Sequence, residues 1–169
     1  VVAPIAAELL ECLRIEVRHI SKPPKKVGLR TGNEVALMIA LDQDECCEGL
    51  AWVRWSGGFP STELGAPMEV PPTAGRFNLG FWSIGFELGI ARCAPTSGHR
   101  TNPTAKQWDD VSNLVFEDQA ALRRAVCCWQ ENPRRKGNVL IASTDPIDTE
   151  GGCTGSAIQI FVRGPSCEC

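Results

Sequence analysis

Between residues 82 and 90 every second side chain is large and apolar: Trp82, Ile84, Phe86, Leu88 and Ile90. Ser83, Gly85, Glu87 and Gly89 stand between them, and Ala91 follows. A period of two belongs to a strand with one buried face, so this stretch predicts the central strand of a sheet. Glycines on the opposite face mark the close approach of another backbone.

The remaining elements fall around that strand. Ile5, Leu9, Leu13, Val17 and Ile20, with Leu10 beside them, have the three-and-four spacing of an amphipathic helix. The helix must end before Pro23-Pro24, because proline disfavours helical geometry in its predecessor and donates no backbone hydrogen bond. SKPPKK is then a solvated basic linker. Residues 27–30 predict a short strand, 34–41 (EVALMIAL) a buried strand, 42–48 an acidic loop, and 50–55 (LAWVRW) a strand ended by Gly57-Gly58. Residues 57–75 are rich in proline and predict an extended loop or arm.

From Thr104 the helical period returns at Trp108, Val111, Leu114, Val115, Leu122, Ala125, Val126 and Trp129, and Thr104 with Gln107 has capping-box spacing. This second helix is expected to break near 116–118 and to end before Asn132-Pro133. Residues 138–143 and 156–163 predict two strands that pair antiparallel across a turn-rich connection, followed by a loose tail at 164–169. The sum is a single α+β domain over 1–169, a mixed and mostly antiparallel sheet with two main helices on one face.

Trp52 and Trp55 fall on opposite faces of their strand. Two helices can roof one face, so the other asks for a partner, and a second copy of the chain is the economical choice.

A net charge of -3 and a pI of about 5.4 give a field that attracts neither nucleic acid nor an anionic membrane. No apolar run approaches the roughly 20 residues of a membrane span, and the opening VVAPIAAELL lacks the basic leader of a secretory signal. There is no phosphate loop, nucleophile elbow or paired-His motif. Of the two histidines, His19 belongs to the polar side of a helix and His99 to a loop, while Asp42, Asp44 and Glu45 and the pair Asp109 and Asp110 read as solvated charge. Neither an enzyme nor a cofactor is expected.

Nine cysteines include the adjacent pairs Cys46-Cys47 and Cys127-Cys128, and none has the CxxC or CxxH spacing of a zinc knuckle. They read first as buried free thiols acting as small apolar residues, next as one or two disulfides, and last as a metal set.

An ordered group of segments carries more information: AWVR (51–54), FP (59–60), FELGIARCAPT (86–96), DQAALRRAVCC (118–128) and GGCTGS (151–156) leading into a last strand. In this order and spacing they resemble the tail terminator, or head-to-tail connector, proteins of long-tailed actinobacteriophages. The match runs over about 50–163, with the basic linker and the arm particular to this sequence.

The resemblance implies a hexameric ring in the neck of a virion, assembled in the host cytoplasm. Its partners would be sister copies, the tail tube protein and a head-completion or stopper connector protein, with DNA only in transit through the lumen and no membrane. It also suggests Glu87 as a lumen-lining residue, Arg54 and Arg92 as inter-subunit contacts, and Cys93 with Cys153 as the disulfide to test beside the alternative of two core thiols. The rivals are another neck component, such as a stopper or tube-completion protein, and a cysteine-based metal or redox module.

Overall fold

The computed structural model describes residues 1–32, 47–68, 80–95, 102–150 and 152–165. Its sheet has the order β1-β2-β3-β5-β4, built from β1 (Lys26–Arg30), β2 (Leu50–Ser61), β3 (Phe81–Cys93), β4 (Val139–Glu150) and β5 (Cys153–Gly164). Only β1 and β2 run parallel, and every other neighbouring pair is antiparallel. The mixed, mostly antiparallel α+β architecture is therefore as the sequence reads, with the alternating strand, β3, at the centre.

Helices α1 (Val2–Glu16) and α2 (Ala105–Gln130) pack on each other and on one face of the sheet. The reason is visible in the period. Ile5, Leu9 and Leu13 of α1 and Leu122, Val126 and Trp129 of α2 meet Val53 of β2, Ile84, Phe86, Leu88 and Ile90 of β3, and Ile158, Ile160 and Val162 of β5 in one buried cluster. At roughly 25 cal/mol per Å² of apolar surface removed from water, side chains of this size each contribute about 1.5–3 kcal/mol. The Thr104–Gln107 capping box forms, satisfying donors that the first helical turn would otherwise leave open.

Several boundaries differ from the sequence reading. β2 does not stop at Gly57-Gly58: a bulge between Trp55 and Gly57 absorbs the positive φ of Gly57, and the ladder resumes to Ser61. The extended segment predicted over 57–75 thus begins as strand, and its part at 69–75 lies outside the described residues. α2 shows no break at 116–118. β4 and β5 extend through the expected turn to Glu150 and Cys153, because β4 is an edge strand with bulges after Ile141 and Ile147, and an edge tolerates Pro146. β5 reaches Gly164, while 166–169 lies outside the described residues. So do the predicted strand 34–41, most of the acidic loop with Asp42, Asp44 and Glu45, and His99.

The thiols correct the reading most plainly. Cys12 of α1 is bonded to Cys128 of α2 and Cys47 to Cys93, Cys153 is also in a disulfide, and Cys127 is free and exposed. Cys93 and Cys153 do face each other in the β3–β5 register. Cys93 bonds elsewhere because the chain leading into β2 brings Cys47 to a Cα–Cα distance of 4.1 Å, within the reach of a bridge.

Candidate interaction surface

The residues singled out from sequence are held inside the subunit. Register sets Arg54 of β2 opposite Glu87 of β3, with Trp52 opposite Gly89. Arg54 donates from Nε to Glu87 Oε1 at 2.7 Å and from Nη2 to Oε2 at 2.6 Å, and Trp52 Nε1 donates to the same Oε1 at 3.0 Å. Such a bidentate charge-assisted pair is geometrically specific.

The indole lies across Gly89, where an added Cβ would sit 2.2 Å from Trp52 Cζ2. What approaches the glycine face is thus the chain's own tryptophan, 1 % exposed among Leu50, Ala91 and Cys153. At this end the second face needs no partner, contrary to the sequence expectation. Glu87 is engaged by Trp52 and Arg54.

Arg92, at the end of β3, is also spoken for. Its guanidinium donates to Asp118 of α2 from Nε at 2.5 Å and Nη2 at 2.6 Å, and to the carbonyl of Lys22 at 2.8 Å. Arg92 and Asp118 are both buried, so Arg92 braces sheet to helix and cannot serve a neighbour. Burial pushes the Asp118 carboxyl above its ordinary range while Arg92 pulls it down. Sequence reading missed Asp118, although a signal existed: it stands four positions before Leu122 and seven before Ala125, on the stripe that α2 buries.

A shallow cavity of about 440 Å³ is lined by His19, Ile20, Ser21, Glu117, Ala120 and Arg124. Its charges are matched within the chain: Glu117 accepts from the Ser21 hydroxyl and backbone N–H, and Arg124 pairs with Glu16. These contacts hold the Glu117 carboxyl below its ordinary range. Asp109 and Asp110 lie in exposed turns of α2, where Lys106 pairs with Asp110. Among the described residues no group of three or more His, Cys, Asp or Glu side chains could hold a metal ion.

The uncovered apolar side chains lie elsewhere. Trp55 (53 % exposed), beside the β2 bulge, and Trp82 (42 %), near the start of β3, stand on the helix-bearing face. Leu29 on β1 and Leu140 and Ile141 on β4 are exposed at the two sheet edges. In α2 the buried residues begin at Asp118, so residues 105–117, about 20 Å of helix, carry Trp108 and Phe116 away from the core. Uncovered aromatic and aliphatic groups on rigid elements are the chemistry of a protein interface.

No protein-family model matches the chain, and no curated protein matches it at a significant level.

Proposed function

We propose that this chain is a structural subunit of a phage virion, a tail terminator that closes into a ring, caps the tail tube, ends its polymerisation and joins the tail to the head connector. The observation that carries this reading is that the resembling segments, scattered along the sequence, make one packed unit. Arg54 of AWVR pairs with Glu87 of FELGIARCAPT, and Arg92 of that same segment pairs with Asp118, the first residue of DQAALRRAVCC. The segments that carry the likeness are those that brace one another.

A terminator works by binding alone: one side of its ring matches the last tube ring, and the other does not offer that surface again. Catalysis and cofactors have no part in it. The apolar groups left uncovered at the sheet edges, at Trp55 and Trp82 and on the first half of α2 supply material for contacts with sister copies, the tube protein and the stopper. DNA passes through without being held, which suits a chain of net charge -3. The disulfides fit a particle assembled in the reducing host cytoplasm whose thiols pair after release.

The test is to mix purified chain with polymerising tail tube protein, weigh the complexes and image tube ends. Tubes of limited length bearing one extra ring at one end are expected. Tubes that grow as without the chain, with the chain left monomeric, would refute the proposal. Density found only on the head side of a ring already capped would point to a stopper instead.

A further inference from the structure

The two outer strands of the sheet are unlike in charge. β1 carries Lys26 and Arg30, whereas β4 carries the exposed Asp145 and Asp148. Among the described residues, each has a strand neighbour on one side only.

Register fixes their heights. Gly28, Trp52, Gly89, Ala157 and Asp145 form one row across the sheet. Lys26, Leu50, Ala91, Gly155 and Ile147 form a row to one side of it, and Arg30, Arg54, Glu87, Gln159 and Ser143 a row to the other. Asp145 therefore stands level with the midpoint between Lys26 and Arg30, and residues sharing a row share a face. Lys26, Arg30 and Asp145 all belong to the face opposite the helices. On the helix side the same two edges present Leu29 and Ile141, both exposed.

We infer that the β4 edge of one copy docks on the β1 edge of the next, acid to base on one face and aliphatic to aliphatic on the other. This rests on the ring proposed above and names the surfaces that close it. Pairing like edges would set Asp145 against Asp145 or Lys26 against Lys26, which is repulsive, so the charge pattern selects the unlike pairing. A contact between unlike surfaces is heterologous, and it generates a ring when the rotation closes. Sheet twist of roughly 20–25° between neighbouring strands turns each copy relative to the last.

Lys26 and Arg30 also interact within their own chain. An ammonium carries three donors and a guanidinium five, so an internal contact does not use either up. Pro146 and the two bulges of β4 limit a continuous backbone ladder across the junction. Side chains carry much of the contact, and it is sensitive to salt.

The test weighs the full chain, alone and with tail tubes, by native mass spectrometry and sedimentation. Raising salt from about 0.1 to about 1 M shortens the screening length from roughly 10 to roughly 3 Å and should raise the dissociation constant about tenfold. Asp145→Lys/Asp148→Lys should lose assembly while keeping the wild-type melting temperature, since both carboxylates are exposed, and Lys26→Glu should, separately, lose assembly. Mixing the two variants should restore assembly, because each then offers the other an opposite edge.

Wild-type mass and salt response in Asp145→Lys/Asp148→Lys would overturn the edge pairing and leave the ring standing. So would two variants that stay apart when mixed. A wild-type chain that never assembles, even with tubes, would overturn the ring itself.

Discussion

Arg92 on the sheet and Asp118 on α2 form a buried bidentate ion pair, with the Lys22 carbonyl taking a further donor of the guanidinium. Removing one charge from such a pair leaves the other desolvated without compensation, which typically costs about 3–5 kcal/mol. Asp118→Ala is expected to lose that much in urea unfolding. Arg92→Met/Asp118→Leu should recover a large part of it, since replacing both buried ions with packed apolar groups is often neutral. A double variant no more stable than Asp118→Ala would show that Lys22 and the helix backbone depend on the guanidinium itself.

The neighbours Glu117 and Asp118 pull the acid limb of the stability curve in opposite directions. The Ser21 hydroxyl and N–H hold Glu117 below its ordinary value, so its contribution is complete above that ordinary value and is lost as pH falls through the lowered one. Burial raises Asp118, so its contribution is complete below the ordinary Asp value and is lost as pH rises through the raised one. The stability of wild type minus Glu117→Gln should therefore grow between about pH 3 and about pH 6. The same difference for Asp118→Asn should slope the other way. Denaturant titrations at a series of pH values read both slopes, and a flat Glu117→Gln difference would contradict the Ser21 contact.

Trp52 fixes the identity of residue 89. Any side chain there meets the indole, since even a Cβ would sit 2.2 Å from Cζ2. Gly89→Ala should destabilise by about 1–3 kcal/mol as the ring is pushed off its seat. Its Nε1–H would also leave Glu87, and the tryptophan emission should shift to the red. Gly137, where an added Cβ meets nothing within 4 Å, is a control for space, although its positive φ of 75° gives alanine there a backbone penalty.

What the sequence made legible is what period alone determines. Ile84 to Ile90 alternate because one face of β3 meets helices, and Leu9, Leu13, Leu122 and Val126 recur because the helices meet it in return. Period assigns a face but not an occupant. Gly85 and Gly89 read as the approach of another backbone, but side chains lie there instead, and that Trp52 covers Gly89 depends on the β2–β3 register. Asp118 fell inside the expected helix break at 116–118, and the partner that accounts for an acid on the buried stripe, Arg92, is 26 residues away in sequence. Pro146 read as a turn because only the strand order reveals that β4 is an edge.

Cys12 and Cys128 are 116 residues apart and are joined only because α1 and α2 pack side by side, so spacing could not reveal the bond. Such a long closed loop restricts the unfolded chain strongly, and losing a native bridge of this kind costs about 2–5 kcal/mol. Reduction, which also opens Cys47–Cys93 and the bridge of Cys153, should lower the unfolding free energy by more than that, and Cys12→Ser/Cys128→Ser should reproduce the part of the loss that belongs to this bridge. Cys127, exposed and unbonded beside Cys128, supplies the internal check. Peptide mapping of the unreduced protein should find Cys127 alkylated and Cys12 protected. If Cys127 were instead joined to Cys12, the α1–α2 tether would survive with its two α2 cysteines exchanged, and Cys128→Ser would leave the melting temperature unchanged.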